Sequence, residues 1–220
     1  SFVIDVLKQA KKRKTAKGLP AQPAVFTVDQ TFCPNVPLLH KDSPLSEVIT
    51  ISYVSCSKFP SGGECTGGYA AGNDDSKSLL EYTEKHLRIC DNLATNEQLK
   101  IISKNIQTMP ERIRQAHQNT LEFTSHIKKT LPEARLNFVS DAVSKLGYTP
   151  SVFSLELPTS GESPEQKELK RRQLNKSLIA HMIKVNPQDC KHCVSYGQLN
   201  GSYWTIPATS TQGTTKEADK

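Results

Sequence analysis

Apolar and polar positions alternate with period two over residues 47–55, Glu-Val-Ile-Thr-Ile-Ser-Tyr-Val-Ser, which predicts a β-strand. Ile49, Ile51 and Tyr53 fall on one face, with Val48, Thr50, Ser52 and Val54 on the other. A shorter strand is predicted over residues 24–28, Ala-Val-Phe-Thr-Val. Pro20, Pro23, Pro34 and Pro37 keep the chain irregular on either side of it. Residues 60–73 read as a glycine-rich loop. Further on, Val152, Ser154 and Glu156 alternate with Phe153, Leu155 and Leu157. That pattern predicts a strand within residues 150–162, expected to pair with 47–55.

Between 76 and 147 the apolar spacing becomes helical. The stripes are Leu80/Thr83/Leu87/Cys90, Leu99/Ile102/Ile106/Met109, Ile113/Ala116/Thr120/Phe123/Ile127 and Leu136/Val139/Val143/Leu146. Four stripes with short connections predict an antiparallel bundle with those residues as its core. Thr95-x-x-Gln98, Thr108-x-x-Glu111 and Thr130-x-x-Glu133 have the capping-box form, and Pro110 and Pro132 suit a first helical turn. Ser163-x-x-Gln166 opens another helix through about Val185, with Leu174/Leu178/Ile179/Met182/Ile183 as its apolar face. Residues 1–17 have helical spacing too, with Phe2, Val3, Val6 and Leu7 along one side.

The fold class expected is α+β, mainly helical: a central antiparallel bundle with small β elements from the N- and C-terminal thirds. The segments are a basic arm (1–23), a β and loop region (24–75), the bundle (76–147), a strand, helix and hairpin region (148–207), and a disordered tail (208–220).

Candidate chemistry begins at Cys190-Lys-His-Cys193, which runs into residues whose Asn200-Gly201 pair suits a type I′ hairpin turn. Cys-x-x-Cys at a turn is half of a zinc knuckle, and zinc needs two more ligands to complete a tetrahedron. Cys33, Cys56, Cys65, His40 and His192 are the candidates. A sheet placing residues 47–65 beside the hairpin favours Cys56 and Cys65, so structural zinc on Cys190, Cys193, Cys56 and Cys65 is the expectation. Two unligated thiols in a tight turn, or a redox pair, are the alternatives.

Charge changes the picture most. The net charge is +6, and Lys8, Lys11, Lys12, Arg13, Lys14 and Lys17 match all of it within one short arm. Such an arm suits phosphate or a transport receptor. A second cluster, Lys167, Lys170, Arg171, Arg172 and Lys176, is expected on the polar side of the helix after Ser163. Tyr196, Tyr203 and Trp204 on the hairpin could stack on bases. A hydrophobic content of 36% and a mean hydropathy of −0.49 suit a chain partly extended or docked on a partner. No apolar run is long enough to span a membrane, and no apolar segment of a signal peptide follows the arm. Ser1 fits either a processed product or an excised piece.

Gly63-Glu-Cys65-Thr-Gly67 has the shape of a nucleophile elbow, with His40 or His86 as the base. Neither the double barrel of a viral-type cysteine protease nor the βα alternation of a hydrolase surrounds it, so a connecting loop is favoured. His86, His117 and His126 read as boundary or surface residues, and Cys90 as a small buried hydrophobe. Phosphate-cradling glycine motifs are absent from the sequence.

The function expected is a non-enzymatic, nucleic-acid-associated binding or assembly protein contacting the phosphate backbone. Chromatin accessories and the capsid or nucleocapsid proteins of viruses and mobile elements share this composition. An adaptor that binds protein partners through its bundle is the alternative, and a cysteine hydrolase using Cys65 the outsider. Homo-oligomers and an intracellular, nuclear setting fit the first reading.

Overall fold

The computed structural model describes residues 25–187, except the side chains at 44 and 47. It also describes the backbone of 191–193 and 203–205, and positions 4–7, 9, 12 and 17 of the arm. The protein is α+β, and the chain divides into two units, residues 1–107 and 108–220.

In the first unit β2 (Ile49–Ser55) is the centre of a three-stranded sheet, parallel to β1 (Val25–Asp29) and antiparallel to β3 (Gly68–Gly72). The buried face of β2 is the more polar one: Thr50, Ser52 and Val54 are inside while Tyr53 is exposed. Those hydroxyls are hydrogen-bonded, as buried polar groups must be. Thr50 donates to the Val48 carbonyl at 2.9 Å, and Ser52 donates to Gln30 Oε1 at 2.6 Å. The Gln30 amide in turn donates to the Val36 carbonyl at 2.9 Å. This chain of contacts secures the long irregular connection between β1 and β2, which carries no α-helix of its own.

The expected glycine-rich loop is in part strand β3. Gly-Tyr-Ala-Ala-Gly has weak β propensity, so no periodic signal marks it. Close approach explains the glycines. A Cβ on Gly68 would lie 3.1 Å from the Val54 carbonyl oxygen, and one on Gly72 would overlap the Ser76 hydroxyl.

Helix α1 (Lys77–Ile89) follows a 3-10 turn, Asp74–Ser76. Asn73 anchors its entry by accepting from Thr50 N–H at 3.1 Å and donating to the Val48 carbonyl at 2.7 Å. The exit is a Schellman arrangement, with Asn92 N–H on the Leu87 carbonyl and Asp91 N–H on that of Arg88. Asp91 occupies the left-handed position, φ 52°, where glycine is usual. Helix α2 (Asn96–Ile106) carries the complete capping box expected at Thr95 and Gln98.

In the second unit, α3 (Met109–Thr130) buries Ile113, Ala116 and Ile127 together with His117, Asn119, Thr120 and Thr124. β4 (Arg135–Asn137) pairs with β5 (Ser154–Glu156) in antiparallel fashion, and a single helical turn, α4 (Asp141–Ser144), lies between them. Phe123 of α3 meets Phe153 at 5.8 Å between ring centroids. α5 (Pro164–Val185) starts at Ser163, whose hydroxyl accepts from Gln166 N–H. A last pair of strands, β6 (Lys191–Cys193) and β7 (Tyr203–Thr205), is antiparallel.

Several expectations change. The fourth stripe is not a helix: Leu136 lies in β4, Val143 lies in the one-turn α4, and Leu146 is 73% exposed. Apart from Cys90, just past α1, and Met109, which opens α3 and is buried, the first two stripes lie on α1 and α2, neither of which buries a side chain. An antiparallel bundle over 76–147 is therefore not established. Thr108 has helical backbone and no capping bond, because α2 ends too close for an extended cap residue. Thr130 belongs to the last turn of α3, where its hydroxyl donates to the His126 carbonyl. The strand at 154–156 pairs with β4 and not with β2, since Leu136 and Leu155 face each other in register. No described sheet joins the N- and C-terminal thirds.

Candidate metal and phosphate-binding sites

The connection between β2 and β3 carries a thiol near each end. Cys56 follows β2 directly and is fully buried; its N–H donates to the Gly67 carbonyl at 2.9 Å. Ser61, also fully buried, ties the two cysteines to one point. Its N–H donates to the Cys56 carbonyl at 3.3 Å, and its hydroxyl accepts from Cys65 N–H and donates to the Cys65 carbonyl, each at 3.3 Å. Gly62 and Gly63 have φ of 68° and 83°, so this loop reverses through two left-handed residues that only glycine adopts easily. Cys65 is half-buried, and its Sγ lies 4.0 Å from the Gln98 carbonyl of α2. The Gln98 amide donates to the Thr66 carbonyl at 2.8 Å, fixing the loop to that helix. Burial, and secondly the neighbouring Cys65, push the Cys56 thiol above its ordinary range.

Of the expected zinc ligands, Cys56 and Cys65 are thus brought together within the first unit. Cys190 lies outside the described residues, and of His192 and Cys193 only strand backbone is described. β6 pairs with β7 and not with the sheet of residues 47–65, so the expected route to a shared site is not seen. Among the described residues no three His, Cys, Asp or Glu side chains are grouped as metal ligands.

The cations of the arm are described only in part. Lys12 and Lys17 are exposed, while Lys8, Lys11, Arg13 and Lys14 lie outside the described residues. On α5, Lys167, Lys170, Arg172 and Lys176 are exposed. Arg171 donates to one Glu168 oxygen, and Arg172 Nε donates to the other at 2.8 Å. Lys167, Lys170 and Lys176 make no ion pair among the described residues. The sorting into a polar and an apolar side fails. At helical spacing Lys167, Lys170 and Arg171 share a strip with Leu174 and Leu178, and only Ile179 is fully buried. Cations therefore surround the first half of α5, and packing begins in its second half. Tyr196 lies outside the described residues, as do the side chains of Tyr203 and Trp204.

Neither base proposed for Cys65 is bonded to it. His40 Nδ1 lies 3.3 Å from Asp42, and the His86 ring packs edge-on against Tyr82. His117 departs from its expected boundary place: it is buried, Nδ1 donates to the Pro150 carbonyl at 2.8 Å, and Nε2 lies 3.1 Å from Ser144 Oγ. The acceptor carbonyl fixes a proton on Nδ1. Its ring also meets Phe138 at 5.7 Å, so the histidine clamps the 138–150 segment to α3. Polar partners that far along the chain leave no periodic signal. Cys90 is exposed and not buried: it caps the C-terminal end of α1, a helix with no buried side chain. No family model, curated protein or solved structure matches the chain.

Proposed function

We propose that this is a non-enzymatic, nucleic-acid-associated binding or assembly protein of the chromatin-accessory or capsid and nucleocapsid kind. The arm residues Lys8, Lys11, Lys12, Arg13, Lys14 and Lys17, with Lys170, Arg171, Arg172 and Lys176 of α5, engage the phosphate backbone. The observation that carries the reading is the set of exposed lysines on α5. Lys167, Lys170 and Lys176 lack carboxylate partners among the described residues and are open to an anion. Contacts of this type read charge and shape, not base edges. Replacing these three lysines by glutamine lowers affinity for single- or double-stranded nucleic acid of any sequence by a similar factor. Unchanged affinity after that replacement and deletion of residues 1–17 sinks the reading.

Structural zinc on Cys56, Cys65, Cys190 and Cys193 accompanies this proposal. Two adjacent thiols repel as thiolates, and a divalent cation relieves that repulsion. Elemental analysis of wild type and Cys190→Ser tests it, zinc being lost in the variant.

A second reading, a protein adaptor, is favoured by α1, where Tyr82 and Ile89 are 62% and 71% exposed on a helix amphipathic in sequence. On that reading deletion of residues 1–17 relocates the protein within the cell and leaves its protein partners bound. Under either reading the helices mediate homo- or hetero-association, and an intracellular, nuclear setting suits the basic arm. No helix among the described residues is long and apolar enough to cross a membrane. The hydrolase alternative requires selective reactivity of Cys65 near neutral pH, which a thiol-directed probe reads directly.

A further inference from the structure

We infer that Cys56 and Cys65 form a reversible intrachain disulfide that closes the connection between β2 and β3. Ser61 holds both cysteines at once, through its N–H on one and its hydroxyl on the other. The Cys56 backbone is further pinned by the Gly67 carbonyl, so both ends of the crosslink start from fixed chain.

The two sulfurs differ in access, which sets the order of events. Cys65 is half-buried and Cys56 is fully buried. The Cys65 thiolate attacks a low-molecular-weight disulfide such as oxidised glutathione, forming a mixed disulfide and releasing one glutathione thiolate. The Cys56 thiolate then attacks the Cys65 sulfur, forming the Cys56–Cys65 bond and expelling the second glutathione thiolate. In balance, two protein thiols lose two protons and two electrons, and one glutathione disulfide becomes two glutathione thiols. The thiol contact from Cys65 to the Gln98 carbonyl is given up, while the Gln98 amide keeps its hold on Thr66. Two cysteines joined in this way are withdrawn from any metal, so oxidation and zinc loading compete if both occur.

Trypsin provides a clean readout, because Lys58 lies between the two cysteines. Peptide 42–58 contains only Cys56, and peptide 59–77 only Cys65. The folded full chain, freed of metal by a chelator, is treated with oxidised glutathione, alkylated, digested and analysed by mass spectrometry. The expected product joins peptides 42–58 and 59–77 with the loss of two hydrogens, and a reductant separates them. In Cys56→Ser the mixed disulfide accumulates on Cys65; in Cys65→Ser, Cys56 stays reduced while the protein is folded. Wild type that retains both thiols alkylatable, or stops at the mixed disulfide, overturns the inference. So does crosslinking that appears only in denaturant. Because the chelated protein is used, failure of the zinc proposal leaves this result unaffected.

Discussion

Helices α1 and α3 present similar apolar spacing in sequence and meet opposite fates. Every residue from Glu81 to Leu93 is exposed, whereas α3 buries eight side chains, four of them among His, Asn and Thr. A stripe states only which face could be buried; what covers it depends on residues far away in the chain. In α3 the covering segment brings its own acceptors. The Pro150 carbonyl takes the His117 proton, and the Ser151 carbonyl lies 3.4 Å from the Thr120 hydroxyl. In α1 the hydrogen bonds gather at the helix entry, around Asn73 and Ser76, and Leu80 packs beside Gly72. A helix this short is marginal in water by itself, which makes α1 the part of the first unit most dependent on its anchored start and its Schellman end.

The largest effect should separate the two helices. Ile113→Ala in α3 removes a side chain that is 1% exposed and should cost about 2–5 kcal/mol. Leu87→Ala in α1, 40% exposed, should stay within about 0.5 kcal/mol. Denaturant unfolding followed by probes in each unit measures both. Equal losses would show that α1 is covered as fully as α3.

His117→Ala should cost about 1–3 kcal/mol, since it removes a buried ring and leaves the part-buried Pro150 carbonyl without its donor. Hydrogen exchange should then quicken over 138–150 and leave residues 25–72 unchanged. Protection lost evenly across the chain would contradict a local clamp.

Helix starts sharpen the contrast further. Thr95→Ala should cost about 1 kcal/mol by opening a formed capping box, seen as lower protection at the start of α2. Thr108→Ala, which removes no cap, should cost less than Thr95→Ala.

A smaller effect follows from the thiol and phenol beside the sheet. Burial and Cys65 raise Cys56, and burial and Cys56 raise Tyr69, so the folded state holds both protons more tightly than the unfolded chain. That contribution is complete below the ordinary thiol range and is lost as pH climbs through the raised values. The denaturation midpoint of the first unit should fall on moving from neutral to alkaline pH, and less so in Cys56→Ala. A rise would reverse the sign.

How much could be read beforehand follows the same logic. β1 and β2 announce themselves by alternation, and Thr95 and Ser163 by caps set on extended backbone. β3 has no such signal, because its glycines report the nearness of Val54 and Ser76 and not a strand preference. Thr108 and Thr130 resemble caps in sequence, yet one sits on helical backbone and the other inside a last turn. Cys56 and Cys65 were readable as candidate zinc ligands, whereas Ser61, which bonds to the backbone of both, was not. The exposure of the α5 lysines follows from composition, but Glu168 engaging two arginines needs the helix in place.

If the arm and α5 meet phosphate, nucleic-acid binding by the full chain weakens steeply as salt rises. Between about 50 and about 200 mM salt, log affinity against log salt should be steep and linear, with a slope of about −0.9 per phosphate neutralised on duplex DNA. Removing Lys167, Lys170 and Lys176 should flatten that slope. A slope near zero, or one unmoved by their removal, would show that these cations do not meet phosphate.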